Sequence, residues 1–174
     1  TVAVPDSTSA GFNKVKGDLV DGRKIQFVSA YEDKIYGLGK FDPEKSKNNH
    51  PGIEASITDN KIVQGASVGT YVVVKNADNS YSFENEDGYL GATGGASSNK
   101  LTPVKADAGV IPDTAKFNVV VNSESGVATI KCVAEGTTHN TLVMNKNNGS
   151  PIFACYEESS DSNHLPVYLF DKAN

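Results

Sequence analysis

Residues 80–93 read SYSFENEDGYLGAT, and this stretch indicates the fold of the whole chain. Two short runs that contain tyrosine, phenylalanine and leucine flank the polar turn ENEDG. An Asp-Gly step is a strong hairpin signal, because glycine adopts a positive φ without strain. We therefore predict two antiparallel strands that are joined near Asp87 and Gly88.

Two further glycines, Gly94 and Gly95, follow this hairpin and could be read as a ligand cradle. A phosphate-binding loop would lead directly into a helix whose N-terminus contacts the anion. Here a strand-like run with Pro103 follows instead. We interpret these glycines as part of a second chain reversal.

Similar strand-like runs recur along the chain, whereas helical periodicity is nearly absent. The sequence therefore predicts an all-β fold of about twelve short strands, with a linker-like segment over 1–11 and a single domain over 12–174. The runs fall into three groups of four that begin near Lys24, Ser80 and Ala128. This grouping favours a β-trefoil-like barrel, and a Greek-key β-sandwich is the alternative. The runs are 24–30, 34–41, 52–58, 70–76, 80–84, 88–93, 100–105, 116–122, 128–134, 140–146, 152–158 and 166–171.

The composition narrows the class of partner. The 174 residues carry a net charge of −5, and Arg23 is the single arginine. Scattered lysines on an acidic chain argue against nucleic-acid binding, and no stretch approaches the ~20 apolar residues of a membrane span. The chain begins without Met or a signal-like segment and is rich in Asn, Ser, Thr and Gly, so we expect a processed secreted or cell-surface protein.

No pattern of catalytic or metal-binding residues stands out. The histidines His50, His139 and His164 lie in polar loop sequences without metal-ligand spacing, and no G-x-S-x-G motif occurs. Cys132 and Cys155 lie in strand-like runs, which favours two buried thiols and leaves a disulfide as the alternative. We expect no enzyme, no cofactor and no metal; a small hydrolase that uses turn carboxylates is a third possibility.

Seven tyrosines and many loop asparagines make carbohydrate binding the favoured function. A tyrosine ring packs on the C–H face of a sugar, while amides bind its hydroxyls. A surface adhesin or an inter-domain spacer that acts through protein contacts is the alternative. The predicted ligand-binding residues are Tyr31, Tyr36, His139, Asn145, Asn147, Asn148 and Tyr156.

Five segments together resemble an all-β accessory module of secreted Bacteroidetes proteins, of the kind found beside extracellular nucleases and glycoside hydrolases. The resemblance spans most of 12–172. It implies a secreted, carbohydrate-binding-module-like protein without catalysis of its own, covalently linked to a catalytic domain in the full-length protein. The segments are 12–30, 87–101, 115–121, 126–132 and 152–172.

Overall fold

The computed structural model describes all of residues 1–174, and the predicted all-β character is confirmed. Fifteen strands form one antiparallel sheet. No helix is both long enough and apolar enough to cross a membrane. The strands are β1 (Asn13–Lys14), β2 (Lys24–Tyr31), β3 (Lys34–Leu38), β4 (His50–Thr58), β5 (Lys61–Val63), β6 (Tyr71–Lys75), β7 (Tyr81–Asn85), β8 (Gly88–Ala92), β9 (Leu101–Val104), β10 (Phe117–Val121), β11 (Val127–Cys132), β12 (Thr141–Asn145), β13 (Ile152–Tyr156), β14 (His164–Leu165) and β15 (Val167–Lys172). Short 3-10 turns lie at Asp113–Ala115 and Asn147–Gly149.

Six of these strands pair in succession and return to the first. The order is β2, β6, β7, β10, β11 and β15, after which β15 pairs with β2. Three hairpins, β3–β4, β8–β9 and β12–β13, connect to these strands. We group these twelve strands in chain order as β2–β3–β4–β6, β7–β8–β9–β10 and β11–β12–β13–β15, and the first strands of the groups begin at Lys24, Tyr81 and Val127.

The hairpin predicted over 80–93 is present as β7 and β8. Asn85 pairs with Gly88, and the Asn85 side-chain oxygen accepts a hydrogen bond of 2.9 Å from the backbone N–H of Asp87. Gly88 has φ +118°. A Cβ there would lie 2.6 Å from the carbonyl oxygen of Val104. Both the backbone angle and the neighbouring strand therefore require glycine at this position.

Three short strands, β1, β5 and β14, lie outside the twelve predicted runs. β5 pairs with β4 through a tight turn at Asp59 and Asn60, whose φ angles are +51° and +59°. Two consecutive positive φ angles are typical of a type I′ turn, whose twist matches that of the paired strands. Asp and Asn adopt such angles at little cost.

The main core is one cluster of 23 buried residues. Phe27 and Phe83 meet edge to face at 5.0 Å between ring centroids, and Phe83 lies 6.0 Å from Phe117. These aromatic contacts join β2, β7 and β10 across the interior. Cys132 and Cys155 belong to the same cluster as free, buried thiols.

The N-terminal residues 1–11, for which the sequence predicts a linker, lie against the domain. Thr8 is buried and forms an isolated bridge with Ile62, and the backbone N–H of Ser9 donates to the Ile62 carbonyl at 2.8 Å. A second cluster of 6 buried residues, which includes Phe12 and Phe170, lies beside this segment. Val2 and Val4 pack against this cluster. These apolar contacts and the backbone hydrogen bonds hold the segment against the domain.

Candidate functional site

A polar groove lies between strands β3 and β4 and the tip of the β12–β13 hairpin, and we call it the first groove. Its volume is about 600 Å³, within the range of ligand pockets in proteins. It joins the first group of strands to the third. The lining residues are Lys34, Tyr36, Asp42, Lys45, Ser46, Asn49, Pro51, Gly52, Glu54, Asn147, Gly149, Ser150, Pro151 and Ile152.

The hairpin tip that borders the first groove is shaped by asparagines. Asn147 and Asn148 both have positive φ, +46° and +53°, a conformation that asparagine tolerates better than most residues. The Asn145 side-chain oxygen accepts a hydrogen bond of 2.8 Å from the Asn147 backbone, and Asn147 Nδ2 donates to the Ser150 carbonyl at 3.0 Å. These bonds fix the short 3-10 turn at the tip, in which no residue is buried.

The floor of the first groove forms where β4 meets β13. The backbone N–H of Gly52 donates to the Pro151 carbonyl at 2.8 Å, and Pro51 pairs with Ile152. A Cβ on Gly52 would lie 3.0 Å from that carbonyl oxygen. Glycine therefore permits the close approach of the two strands.

The charges of the first groove are partly paired. Lys34 Nζ lies 3.1 Å from Glu54 Oε1, and this contact raises the pKa of Lys34. Tyr36 lies beside them but is only 7% exposed, because its ring packs in the main core. Burial raises the pKa of Tyr36. Tyr36 therefore offers little ring surface to a ligand.

A second group of side chains lies next to the groove, and we call it the Tyr156 cluster: Tyr156, His164, Asn99 and Asn145. The rings of Tyr156 and His164 stack with centroids 4.2 Å apart. The Tyr156 hydroxyl accepts hydrogen bonds from Asn99 Nδ2 at 2.9 Å and from Asn145 Nδ2 at 3.1 Å. Both ends of the Asn145 amide are therefore bonded, one to the groove tip and one to Tyr156.

The structure brings together four of the seven predicted ligand-binding residues. Tyr36 and Asn147 line the first groove. Asn145 and Tyr156 are hydrogen-bonded beside it. Alternation along β12 and β13 produces this arrangement, because pairing of residues 145 with 152 and 141 with 156 places these side chains on one face of the hairpin.

The other three predicted residues occupy different positions. Tyr31 is half-buried at the end of β2, and the Lys146 ammonium lies 5.4 Å from its ring centroid. Asn148 is exposed at the hairpin tip but does not line the groove. His139 is half-buried, with its backbone N–H bonded to the Gly95 carbonyl at 3.2 Å.

Sequence reasoning missed Asn99 and His164. His164 reads as a solvated loop residue, yet β14 pairs it with Asn145 and thereby sets its ring beside Tyr156. Asn99 is placed by the turn after β8, where its carbonyl accepts from the Cys155 backbone at 3.1 Å. The pairing of β14 with β12 and the packing of the β8–β9 loop on β13 create these contacts, and no local sequence pattern indicates either one.

His50 also differs from its predicted loop environment. It begins β4, is 1% exposed, and its Nδ1 bonds the Gly39 carbonyl at 2.8 Å. A carbonyl only accepts, so Nδ1 carries the proton and Nε2 is an acceptor. Burial lowers the pKa of His50 to about 4. Nε2 has no hydrogen-bond partner, and neither does the buried hydroxyl of Tyr71, which lines the same small cavity.

No protein-family model matches the chain. No curated protein matches it either. Among solved structures, the chain is similar to full-length CARDS toxin, with a TM-score of 0.52 and 15% sequence identity. The match covers 86% of this chain and 27% of the toxin chain. At this identity the likeness concerns the fold alone.

Proposed function

We propose that this protein is a non-catalytic, secreted or cell-surface module that binds a neutral glycan along the first groove and the Tyr156 cluster. One observation carries the proposal: Asn145 is bonded at one end to the groove tip and at the other to the Tyr156 hydroxyl. These two bonds hold Tyr156 in a fixed relation to the tip that borders the first groove, which reduces the entropic cost of binding.

Tyr156 provides both a hydrogen-bond donor and an apolar ring for a sugar. Its hydroxyl oxygen already accepts two amide hydrogen bonds. Because the two amides donate to the lone pairs of this oxygen, the hydroxyl proton points away from them and is free to donate to a ligand. The stacked rings of Tyr156 and His164 provide apolar surface beside this donor. Sugars present the matching combination, C–H patches flanked by hydroxyl groups.

The first groove complements this surface with both donors and acceptors. Asn49 and Asn147 offer amides, and Asp42 offers carboxylate oxygens. The groove contains two lysines and two acidic residues, so it has no excess of either charge. Lys34 and Glu54 also neutralise each other directly as an ion pair. A hydroxyl group both donates and accepts, so a neutral saccharide fits this balance better than an anion does.

The proposal also covers the strand architecture and the full-length protein to which this module belongs. We propose that the three groups of four strands form a β-trefoil, with six strands closing a barrel. The return of the pairing from β15 to β2 supports this arrangement. The resemblance to accessory modules of secreted Bacteroidetes proteins supports a polysaccharide ligand and a covalently linked catalytic domain in the full-length protein.

An adhesin that acts through protein contacts is the second candidate. It requires a contiguous apolar patch on the surface. The exposed large aliphatic side chains include Ile57 on β4, Val72 on β6 and Val120 on β10. These residues belong to different strands, whereas the polar and aromatic groups of the first groove and Tyr156 cluster lie together.

The test is a glycan array followed by affinity electrophoresis in gels that contain neutral polysaccharides. We expect retardation by at least one neutral polysaccharide. Tyr156→Phe removes one hydroxyl and should weaken binding about fivefold, since a hydrogen bond contributes about 1 kcal/mol. Tyr168→Phe is the matched control, because Tyr168 lies on β15 outside the first groove and the Tyr156 cluster. The absence of retardation by every neutral glycan would refute the proposal.

A further inference from the structure

A second groove lies away from the first, where the ends of β2 and β15 meet the loop between β5 and β6. We call it the second groove; its volume is about 520 Å³. It contains three lysines and one carboxylate, in a chain whose net charge is −5. The lining residues are Ala10, Phe12, Lys24, Gln26, Lys40, Gln64, Gly65, Ala66, Val68, Thr70, Glu86 and Lys172.

A chain of amides forms one wall of the second groove. Gln64 Nε2 donates to Gln26 Oε1 at 3.0 Å, and Gln26 Nε2 donates to Thr70 Oγ1 at 3.0 Å. Gln26 is only 8% exposed, so its amide is held in this orientation. The Thr70 oxygen therefore accepts from Gln26, and its own proton remains free to donate. The network presents a hydroxyl donor at the wall of the groove.

Lysines add further donors to the second groove. Lys24 and Lys172 are directly opposite each other on β2 and β15, an arrangement of like charges that costs stability. Lys172 Nζ bonds the Ala10 carbonyl at 2.7 Å. Neither Lys24 nor Lys40 forms an ion pair with a carboxylate. Glu86 is the one acidic residue of the groove and leaves an excess of positive charge.

We propose that the second groove binds the anionic group, a carboxylate or a sulfate, of an acidic saccharide unit. Lys24, Lys40 and the Thr70 hydroxyl donate to the anion, which also offsets the repulsion between Lys24 and Lys172. The anion specificity follows from this set of donors alone. The saccharide as its carrier rests on the proposed function. Ala66 adds a small exposed apolar surface beside the donors, whereas Phe12 and Val68 line the groove but are only 5% and 4% exposed.

The test is a set of NMR titrations of ¹⁵N-labelled protein, followed at the Thr70 backbone amide and the Gln26 side-chain amide. The probes are digalacturonate, a sulfated heparin disaccharide, neutral galactobiose and sodium sulfate. We expect both acidic disaccharides to shift these signals, with weaker binding when the salt concentration rises from about 0.02 to about 0.3 M, because charge contacts are screened. Galactobiose should leave the two signals unchanged.

Variants identify the lysines that bind. The double variant Lys24→Gln/Lys40→Gln should weaken digalacturonate binding about tenfold, because two exposed charge contacts are lost. Lys75→Gln/Lys105→Gln makes the same change of net charge outside both grooves and should have no effect beyond twofold. A fall in affinity of equal size in both double variants would overturn the assignment to this groove.

The remaining outcomes separate the parts of the proposal. Equal shifts by galactobiose and digalacturonate would overturn the anion specificity. Equal affinity for free sulfate and for the sulfated disaccharide would overturn the saccharide as the carrier. The absence of shifts at Thr70 and Gln26 with every anion would overturn the site itself, while leaving neutral glycan binding at the first groove intact. Conversely, loss of neutral binding alone would refute the proposed function and leave this anion site standing.

Discussion

The two grooves differ in how their lysines are arranged, although they have similar volumes. In the first groove, Lys34 is paired with Glu54 at 3.1 Å. In the second, Lys24 lies opposite Lys172 on the neighbouring strand and forms no ion pair. The comparison teaches that local pairing, rather than the net charge of the chain, determines which ligands a surface favours. An overall acidic protein can therefore present one groove without excess charge and another with positive charge.

The grooves also differ in the buried polar residues of the strands that line them. Pro51 of the first groove directly follows His50, a buried titratable residue at the start of β4. The second groove is lined by Gln26, an uncharged amide that is 8% exposed. Acid should therefore affect the support of the first groove more directly than that of the second.

The largest expected effect is the loss of stability in acid that His50 causes. The pKa of His50 falls from 6.5 in the unfolded chain to about 4 in the folded protein. Below pH 6.5 the unfolded state therefore binds the proton first, so stability falls as the pH drops from 6.5 to 4 and does not change further through His50 below that. At about 1.4 kcal/mol per pKa unit, the loss is about 3 kcal/mol.

The measurement is urea denaturation of the wild type and His50→Asn at several pH values between 7 and 4. Asparagine can keep the hydrogen bond to Gly39 but does not titrate, so the variant should lack about 3 kcal/mol of the wild-type loss. The groups that face His50 in its cavity are Asp87, Tyr71 and Tyr89, and they remain in both proteins. Parallel pH profiles for the two proteins would show that His50 is not the cause.

The next effect in size concerns the connection between the first groove and the Tyr156 cluster. Asn145→Ala removes both bonds of the Asn145 side chain. We expect about a tenfold loss of neutral glycan affinity, from two hydrogen bonds of about 0.5–1 kcal/mol each. Isothermal titration calorimetry measures it, with Asn118→Ala, an exposed site on β10, as the control. Equal affinity in the variant and the wild type would show that Asn145 does not couple the two surfaces.

The smallest expected effect comes from a substitution that gives the first groove an excess of positive charge, like that of the second groove. Glu54→Gln removes the partner of Lys34 and leaves the groove with excess positive charge. We expect digalacturonate to bind the first groove about threefold more tightly, and the free energy of unfolding to change by less than about 1 kcal/mol, because the pair is exposed. NMR shifts at Asn147 report the binding. Unchanged affinity for the acidic sugar would contradict the importance that we assign to local pairing.

The sequence predicts the all-β character and local hairpins, whereas the placement of the candidate site residues depends on contacts between distant parts of the chain. The hairpin at 80–93 follows from residues that are close in the chain, and both its strands and Gly88 are confirmed. Tyr36 illustrates the limit, because alternation on β3 does not reveal that its ring is covered by the core. Lys24 and Lys172 lie 148 residues apart in the chain, and only the register of β2 against β15 brings them together. The sites depend on such long-range register, which no local pattern encodes.

The most direct test of the central claim, that the two grooves sort glycans by charge, is a sequential NMR titration. The protein is first saturated with a neutral oligosaccharide identified on the array, and digalacturonate is then added. We predict two separate sets of shifts, the first around Asn147 and Tyr156 and the second around Gln26 and Thr70, with the same affinity for digalacturonate in either order of addition. Competition between the two sugars for one set of residues would contradict the claim.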